Sequence, residues 1–454
     1  MSRYDFQYIV IGSGPAGNTA ATTLAKAGKR VALVEGRYFG GSNLNTLDIP
    51  YATALNSAHA YAKINSYPEF RNQELTFNFP TMISRELRAA VDSGANNRKK
   101  YEKSGAVCLS GFANILDPHT IAVKQKQFTT ANFIIATGAH LRTTGISGLD
   151  ITPFLTPETA IKVRRLPKVI AIIGAGSTGC EIASYFAELG SKVILMEMKN
   201  RILPGEDVEV SATITQFFTK ELQANVLVDC KAVAIGEDEV SKYVIFRYGP
   251  TEKMVRVTEI ALATGSEPNL DCGLENANVK FTNAGIKVNK YFETSAKNVY
   301  AVGDCIGGES STERAYRQGL TLATNITKRN KSVVNYCGTI RLTNTFLQVA
   351  TVNLNEEDLN RRDRKCKKSV VELSEINASR INYLNYGFVK LLANRNHYII
   401  GATVVAPNAG LLAQEIALAI RHQHTAIELA STPHLINGYS QAIKLAARKL
   451  VKKH

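Results

Sequence analysis

The stretch Tyr8-Ile9-Val10-Ile11-Gly12-Ser13-Gly14-Pro15-Ala16-Gly17 decides the fold of this 454-residue chain. Its apolar run predicts a buried strand, and the G-x-G-x-x-G spacing predicts a tight turn into a helix. Gly12 permits the turn, Gly14 lets the backbone approach a pyrophosphate at the helix N-terminus, and Gly17 packs helix on strand. Glu35 ends the next predicted strand, where a carboxylate can accept hydrogen bonds from ribose hydroxyls.

The same design recurs about 160 residues later, which predicts two nucleotide domains instead of a short-period repeat array. Residues 169–173 read as a strand, Gly174-Ala175-Gly176-Ser177-Thr178-Gly179 is the second motif, and Glu197 ends the following strand. An acid at Glu197 favours NADH because it would repel the additional phosphate of NADPH. Lys199 and Arg201 lie close enough in sequence to soften that preference.

Further strands are predicted between and after these motifs. Residues 133–138 and 260–265 each end in Ala-Thr-Gly, and residues 298–304 form a short strand that ends at Gly303-Asp304. From about residue 340 the pattern changes to antiparallel strands, at 388–392 and 399–405, followed by a helix over 411–421. The charged stretch 355–368 predicts an exposed helix or loop.

The formal net charge is +15, with 54 Lys and Arg against 39 Asp and Glu. Positive residues cluster at 98–100, 361–368 and 448–453. Solubility and attraction of anionic cofactors account for this balance, and contact with an anionic membrane surface is the alternative. No aromatic residues interleave with these clusters, which weighs against nucleic acid as a partner.

The seven cysteines are scattered and form no C-x-x-C pair, which argues against a disulfide framework and a zinc site and suits a reducing compartment. No metal site is predicted. The first strand begins within a few residues of Met1, leaving no room for a secretory leader, and no apolar stretch is long enough to cross a bilayer. A cytoplasmic location is the expectation.

The segment after the first nucleotide unit resembles a known family. Gly40-Gly41-Ser42-Asn43-Leu44-Asn45-Thr46-Leu47-Asp48-Ile49-Pro50 aligns without a gap to the pattern G-G-T-C-L-N-V-G-C-I-P-S-K. That pattern is the redox-disulfide segment of the flavoprotein pyridine nucleotide-disulfide oxidoreductases, the family of glutathione reductase, dihydrolipoamide dehydrogenase and mercuric reductase. Both glycine motifs, both Ala-Thr-Gly turns and residues 298–304 resemble the same family.

The resemblance implies an α/β fold with two Rossmann-like nucleotide-binding domains and a C-terminal α+β dimerisation domain, in a homodimer. The FAD-binding domain would comprise residues 1–150 and 269–338. The NAD(P)-binding domain would comprise 151–268, and the dimerisation domain 339–454.

The resemblance also assigns cofactor-binding residues. Asp304, after Gly303, would bind the ribityl chain of FAD. Thr137-Gly138 and Gly265 would close the nucleotide units at the crossovers between domains. Glu181 would lie beside the nicotinamide, and its alternative interpretation is a helix residue that faces solvent.

The chain departs from the family pattern where dithiol chemistry is performed. Asn43 and Asp48 stand at the two cysteine positions, and Ala52 replaces the lysine that pairs with the glutamate at position 181. In the C-terminal H-x-H-P-T-L-S-E motif, Thr432 and Asn437 replace the general-acid histidine and its glutamate. His434 lies two positions away as a conceivable substitute, although a surface or core histidine is the more ordinary interpretation. The joint loss, with both nucleotide motifs intact, indicates specific loss of the disulfide relay.

Asp48 and Glu181 are the catalytic candidates that remain. Asp48 occupies the position whose thiol, in the family, contacts the flavin near C4a. A carboxylate there would oppose negative charge on reduced flavin and lower its potential, or burial would raise the pKa of Asp48 so that it donates a proton. Glu181, without its lysine, would add negative charge and so act on the flavin potential and on the pKa of Asp48 in the same direction as these two effects. Alternatively, Asp48 caps the helix that follows Pro50.

The expected function is an FAD-dependent oxidoreductase that takes hydride from NADH, with NADPH as the alternative donor. Electrons would pass directly to a diffusible small-molecule acceptor such as a quinone, a dye or oxygen. One alternative is transhydrogenation between NADH and NADP⁺, which Glu197 opposes. The other is a redox-sensing or non-catalytic flavoprotein.

Overall fold

The computed structural model describes residues 3–70, 76–94, 96–143 and 145–451, apart from a few side chains that include that of Asn43. The chain divides into two compact units, one of residues 1–53, 84–142 and 265–335, the other of residues 54–83, 143–264 and 336–454. The second unit joins the expected NAD(P) domain to the expected dimerisation domain and to residues 54–83. The division into three domains therefore stays an expectation from the sequence.

The strands and helices follow one another as in an α/β protein, with an antiparallel region at the C-terminus. The strands are β1 (Phe6–Ile11), β2 (Val31–Glu35), β3 (Val107–Ser110), β4 (Ala113–Asp117), β5 (Thr120–Val123), β6 (Lys126–Ile135), β7 (Ala139–Leu141), β8 (Val169–Ile173), β9 (Lys192–Met196), β10 (Asn225–Leu227), β11 (Cys230–Glu237), β12 (Lys242–Tyr248), β13 (Thr251–Val257), β14 (Glu259–Leu262), β15 (Ser266–Pro268), β16 (Phe281–Thr282), β17 (Gly285–Ile286), β18 (Val299–Ala301), β19 (Ile340–Thr343), β20 (Gln348–Asn353), β21 (Lys367–Glu372), β22 (Phe388–Ala393) and β23 (Ile399–Ala406). The helices are α1 (Pro15–Lys26), α2 (Gly41–Asn45), α3 (Asp48–Ser66), α4 (Phe79–Gly94), α5 (Asn97–Lys103), α6 (Pro157–Ala160), α7 (Ser177–Glu188), α8 (Val208–Lys220), α9 (Thr312–Thr327), α10 (Glu356–Arg361), α11 (Asn377–Ile381), α12 (Ala409–Arg421), α13 (Ala426–Ser431) and α14 (Gln441–Val451).

The first unit is built on a parallel sheet of order β3-β2-β1-β6, with β18 paired to β6. Alternate residues of these strands enter two separate apolar cores, Val10 and Leu33 on one face, Ile9 and Val34 on the other. The beginning of β6 pairs antiparallel with β5 instead. Because β1, β6 and β18 are parallel, the residues that follow their carboxyl ends meet at one edge of the sheet, where nucleotides bind in such folds.

The second unit repeats this plan with a parallel sheet of order β10-β9-β8-β14. The second glycine motif follows the carboxyl end of β8, and Glu197 follows that of β9. An antiparallel sheet of β11, β12 and β13 belongs to the same unit. Both Rossmann-like folds predicted from the glycine motifs are thus present.

The C-terminal part of the second unit is a five-stranded antiparallel sheet of order β19-β20-β23-β22-β21. Helices α12 and α14 contribute buried residues to the apolar core formed with this sheet. Large apolar side chains nevertheless remain exposed here, among them Leu411, Leu418, Leu435 and Ile436. The α/β fold class with a C-terminal α+β domain is therefore confirmed.

Two local expectations differ from the structure. Within the stretch 355–368, helix α10 covers only Glu356–Arg361, and Lys367 and Lys368 belong to strand β21, which pairs with β22. Helix α3 begins at Asp48 and already contains Pro50, so Asp48 lies in its first turn rather than ahead of it. Proline is tolerated in a first turn because its missing N–H would have no partner within the helix.

Across the described ranges, none of the helices combines the length and the apolar character that a membrane span requires.

Candidate functional site

The first glycine motif has the backbone of a dinucleotide-binding turn. Gly12 adopts φ +100°, and a Cβ at that position would lie 2.2 Å from the carbonyl oxygen of Ala136. At Gly17 a Cβ would lie 1.9 Å from the carbonyl oxygen of Gly12, so the helix packs directly on the turn. A Cβ at Gly14 would meet no atom within 4 Å, which leaves the N-terminus of α1 open to a pyrophosphate. These residues fit the phosphates of a dinucleotide.

Glu35 is held at the end of β2 by the first motif. Its Oε2 accepts hydrogen bonds from the backbone N–H of Ser13 at 3.0 Å and from Ser13 Oγ at 2.6 Å. Its Oε1 accepts from the backbone N–H of Arg37 at 2.8 Å. The carboxylate is thereby fixed beside the glycine turn, where a ribose would lie when FAD is bound.

Gly303 and Asp304 follow β18 at the same edge of this sheet. The N–H of Gly303 donates to Oε1 of Gln318 at 2.7 Å. Asp304 Oδ2 accepts from Ser310 Oγ at 2.5 Å. Burial and the charge of Asp48 raise the pKa of Asp304, while the hydrogen bond from Ser310 and the charge of Arg314 act against that rise.

The Ala-Thr-Gly turn after β6 is fixed by a residue absent from the sequence predictions. Thr137 Oγ1 donates to the carbonyl oxygen of Asn269 at 2.7 Å, and the Asn269 amide donates to the carbonyl oxygen of Thr137 at 2.9 Å. The N–H of Asn269 also donates to the carbonyl oxygen of Gly138 at 2.9 Å. Gly265 adopts φ +90° and accepts from the N–H of Arg142 at 3.0 Å.

Asp48 lies at the N-terminus of α9, not only at that of α3. Its Oδ2 accepts a hydrogen bond from Oγ1 of Thr312 at 2.6 Å, and Thr312 is the first residue of α9. A carboxylate is stabilised there by the positive end of the helix dipole. The structure thus brings together Asp48 and Asp304, which lie far apart in sequence. The side chain of Asn43 lies outside the described residues.

The second glycine motif has the same geometry as the first. Gly174 adopts φ +100°, and a Cβ there would lie 2.3 Å from the carbonyl oxygen of Ala263. A Cβ at Gly179 would lie 1.9 Å from the carbonyl oxygen of Gly174, and one at Gly176 would meet nothing within 4 Å. The second turn therefore fits a dinucleotide in the same way.

The Glu197 carboxylate is held by backbone hydrogen bonds in the same way as that of Glu35. Its Oε2 accepts from the N–H of Ala175 at 2.9 Å, and its Oε1 accepts from the N–H of Lys199 at 3.0 Å. Arg201 is engaged elsewhere: its guanidinium lies 3.1 Å from Oε1 of Glu357. The arginine that the sequence placed near a second phosphate is therefore committed to an ion pair within the protein.

Helix α7 carries a polar stripe on one face, formed by Ser177, Glu181, Ser184 and Glu188. The first half of the stripe contacts the turn after β19. Oγ1 of Thr343 lies 2.8 Å from Oγ of Ser177, and the N–H of Asn344 donates to Oε1 of Glu181 at 2.7 Å. Glu181 is thus half-buried and held by a backbone amide, in contrast to a solvent-facing helix residue.

The second half of the stripe contacts the same turn and helix α3. The N–H of Phe346 donates to Ser184 Oγ at 3.0 Å, and Ser184 Oγ donates to Glu188. Nδ1 of His59 lies 2.5 Å from Oε2 of Glu188. Burial raises the pKa of Glu188, and the hydrogen bonds from His59 and Ser184 limit that rise.

The cysteines do not replace the missing pair. All seven are free, and those closest in sequence to the motifs, Cys180 and Cys305, are fully buried. Burial raises the pKa of Cys305 to about 11 and that of Cys180 further. Since the thiolate is the reactive form, burial disfavours reaction at both thiols.

His434 is buried and bonded on both sides of its ring. Nδ1 lies 2.8 Å from the carbonyl oxygen of Thr432, and Nε2 lies 2.8 Å from Oε1 of Glu415. Its side chain is 3% exposed. Both ring nitrogens therefore face acceptors of the same chain.

One cluster of carboxylates has the spacing of a cation site but already holds a cation. Asp207, Glu209 and Glu356 surround the Nζ of Lys390 at 2.8, 3.1 and 3.1 Å. Lys390 is fully buried in β22. This cluster is an ion network that joins α8 and α10 to the C-terminal sheet.

Sequence reasoning missed Ser13, Gln318, Thr312, Asn269 and Ser184. Ser13 lies inside the glycine motif, and its hydroxyl was the available signal. The others act through contacts between segments more than 100 residues apart or through a backbone amide, which leaves no local pattern.

Comparison with known proteins agrees with this geometry. The family model for pyridine nucleotide-disulphide oxidoreductases matches residues 6–319, and the model for the dimerisation domain of that family matches residues 340–447. Mercuric reductase of Staphylococcus aureus is 28% identical over 451 residues, 98% of this chain and 82% of that protein. Dihydrolipoyl dehydrogenase of Corynebacterium glutamicum is 28% identical over 459 residues, 97% of each chain.

Solved structures share the fold. The HOCl-induced flavoprotein disulfide reductase RclA from Escherichia coli superposes with a TM-score of 0.88 at 22% identity, covering 98% of this chain and 100% of that one. LpdA from Mycobacterium tuberculosis gives a TM-score of 0.88 at 23% identity, with the same coverage. The family's members are flavoenzymes that use FAD and pyridine nucleotides. This chain belongs to the pyridine nucleotide-disulphide oxidoreductase family.

Proposed function

We propose that this protein is an NADH-dependent flavoprotein oxidoreductase that delivers electrons directly to a diffusible acceptor, without a disulfide relay. The observation that carries this proposal is a contrast within one chain. Both glycine motifs have equivalent backbone geometry, whereas positions 43 and 48 carry Asn and Asp. The thiols closest in sequence to the motifs, those of Cys180 and Cys305, are buried. Selective loss of the dithiol beside two intact nucleotide motifs supports a changed acceptor.

The part of the proposal that concerns NADH as hydride donor is supported by Glu197 and by the polar stripe of α7. Glu197 accepts two backbone hydrogen bonds and is buried, so its charge is fixed where the adenosine ribose would lie. Arg201 is bound to Glu357 and is not free to neutralise a second phosphate. These contacts favour NADH over NADPH and weigh against transhydrogenation. Asn344 holds the Glu181 carboxylate in place beside the expected nicotinamide position.

Glu35, Gly14 and Asp304 would hold FAD. When bound, FAD supplies a carrier that accepts two electrons as hydride and returns them to a second substrate. Asp48 would contribute a negative charge beside that carrier, stabilised in turn by the N-terminus of α9. We propose that Asp48 thereby lowers the flavin potential, which makes electron delivery to the acceptor more favourable.

The overall reaction balances with a two-electron acceptor such as a quinone. NADH and one proton yield NAD⁺, while the quinone gains two electrons and two protons to become a quinol. Oxygen, reduced to hydrogen peroxide, and two-electron dyes fit the same balance. No thiol is formed or consumed in this scheme.

A homodimer is supported by the match to the dimerisation domain and by the exposed apolar side chains of the C-terminal region. Contact with an anionic membrane surface stays a hypothesis from charge alone. Several residues of the basic clusters are already paired, such as Arg98 with Glu102 and Lys449 with Glu375. Lys452 and Lys453 lie outside the described residues.

Anaerobic stopped-flow mixing of the FAD-loaded protein with NADH, and separately with NADPH, tests the proposal. We expect rapid bleaching of flavin absorbance with NADH, slower bleaching with NADPH, and no long-wavelength thiolate–flavin band. Adding a quinone should then restore the absorbance. Failure of both nucleotides to bleach the flavin would contradict the proposal and favour a non-catalytic or sensing flavoprotein.

A further inference from the structure

The second unit contains a large cavity that is distinct from its nucleotide site. Its volume is about 1440 Å³, and the end of α3, the end of α7, the end of α8 and the loop 382–386 form its walls. Ligand pockets in proteins commonly enclose several hundred Å³, so this volume accommodates a small organic molecule.

The position of the cavity in the sheet separates it from the nicotinamide nucleotide. Val169, Lys192 and Asn225 line it, and these residues begin β8, β9 and β10. The glycine motif and Glu197 follow the opposite, carboxyl ends of the same strands. Because dinucleotides bind at the carboxyl ends of parallel strands, the cavity lies at the wrong edge to be part of the NADH site.

Aromatic rings form one wall of the cavity. Phe346 and Phe217 stack with ring centroids 5.7 Å apart and planes 7° from parallel. The ring of His59 meets Phe346 edge-on at 5.8 Å, and Tyr386 meets Phe217 edge-on at 5.5 Å. A wall of this kind favours a flat ring that can stack or pack edge-to-face.

The remaining lining is polar but carries balanced charge. The charged Lys, Arg, Asp and Glu side chains among the described lining residues are Lys63, Lys192, Glu188 and Glu221, two of each formal sign. Nine Asn and Gln side chains supply both donors and acceptors: Asn56, Asn65, Gln216, Gln223, Asn225, Gln348, Asn382, Asn385 and Asn408. Balanced charge and many amides favour an uncharged ligand that forms hydrogen bonds at its rim.

Two lining residues hold buried polar atoms that lack a partner within the described part of the chain. They are Nε2 of His59 and the hydroxyl of Tyr439. A buried polar atom without a hydrogen bond costs free energy, and a ligand that supplies the bond removes the cost. The other nitrogen of His59 is fixed by Glu188, so the ring orientation is set before a ligand arrives.

We propose that this cavity binds an uncharged, flat, fused-ring aromatic compound with hydroxyl or carbonyl groups at its rim, at a site separate from that of the nicotinamide nucleotide. The ring packs against Phe346 and Phe217, and a rim oxygen reaches His59. The proposal does not depend on which acceptor the enzyme reduces.

7-Hydroxycoumarin is a suitable probe because it has two fused rings, a hydroxyl and a carbonyl, and is not an electron acceptor of the quinone type. Calorimetric titration of the FAD-loaded protein should show saturable binding of one molecule per chain. Saturating NAD⁺ should leave that binding in place. Ala62→Trp, which fills the cavity from α3, should weaken it at least tenfold.

His59→Gln provides a second test, because glutamine keeps a donor toward Glu188 but lacks the imidazole Nε2 that the ligand oxygen would contact. It should weaken binding at least fivefold. Ala284→Trp, at an exposed turn in the first unit, is the matched control and should bind as the unaltered protein does. Absence of saturable binding, displacement by NAD⁺, or an affinity in Ala62→Trp or His59→Gln equal to that of the unaltered protein would each overturn the proposal.

Discussion

Thr312 Oγ1 donates a 2.6 Å hydrogen bond to Oδ2 of Asp48, which joins the start of α3 to the start of α9. Asp48 stands where the family pattern has its second cysteine. The contact places a carboxylate at the positive end of α9 and within electrostatic reach of Asp304. This relationship connects the most divergent position of the chain to the residue expected to bind the flavin side chain, and it yields the first prediction.

Asp48→Asn should raise the midpoint potential of the bound flavin. Removing a negative charge beside the carrier lessens the penalty for adding electrons, and an effect of about 1.4 kcal/mol corresponds to about 30 mV for two electrons. Redox titration of the FAD-loaded protein measures the shift. Thr312→Val is the control, because it removes the hydrogen bond and keeps the charge. An unchanged potential in Asp48→Asn would leave Asp48 with a structural role at the helix ends.

Glu197→Gln should change the nucleotide preference. Glutamine keeps one acceptor oxygen for Ala175 or Lys199 but removes the charge that would repel a 2′-phosphate. We expect the ratio of kcat/KM for NADH over NADPH to fall about tenfold, equivalent to 1.4 kcal/mol.

The matched control is Glu35→Gln, whose carboxylate accepts the equivalent backbone hydrogen bonds in the other Rossmann-like fold. That change should weaken FAD retention and leave the NADH-to-NADPH ratio unaltered. Equal effects of both variants on the ratio would argue against the assignment of Glu197 to the nicotinamide nucleotide.

Glu188→Gln should flatten the pH dependence of stability. Burial raises the pKa of Glu188 above 4.5, so the folded protein keeps this proton to a higher pH than the unfolded chain does. Its contribution to stability is therefore present at low pH and declines as pH rises from about 4.5 through the folded pKa. Thermal unfolding midpoints measured from about pH 4.5 upward give the slope. Glu221→Gln, at an exposed carboxylate, should leave the slope unchanged.

Lys390→Met should destabilise the protein by about 3–5 kcal/mol, because it removes the buried cation that lies between the carboxylates of Asp207, Glu209 and Glu356. The thermal midpoint of unfolding should fall by roughly 5–10 °C for a unit of this size. Lys368→Met is the comparison, since Lys368 is half exposed and forms its ion pair with Glu356. A surface pair of that kind contributes at most about 1 kcal/mol. Similar losses in both variants would contradict the structural importance of Lys390.

Leu411→Asp should weaken the homodimer. Leu411 is 74% exposed on α12 of the region that matches the dimerisation domain. A charge buried at an apolar interface without a partner is costly, so the variant should sediment with a larger monomer fraction at micromolar concentration. Val240→Asp, at a site 84% exposed outside that region, should keep the mass of the unaltered protein. Identical masses for both variants would place the interface elsewhere.

Much of the fold was predictable because nucleotide-binding turns depend on local stereochemistry. Gly12 and Gly174 both require positive φ, and Gly17 and Gly179 both leave no room for a Cβ, so the sequence shows these positions directly. The apolar runs around β1, β8 and β14 likewise reveal buried parallel strands. The sequence predicts a start of α3 after Pro50, which is too late, because a proline in a first turn resembles a helix boundary.

The sequence by itself determined the fold class, the family and the loss of both cysteines, since each depends on which residues stand at fixed spacings. Only the tertiary structure decided that Asp48 contacts Thr312, that Arg201 is bound to Glu357, and that His59 contacts Glu188 at a cavity. These contacts join residues 129 to 264 positions apart, as with His59 and Glu188 or Asp48 and Thr312. Chain folding brings such pairs together through core packing, and no local pattern of side chains records the distance between them.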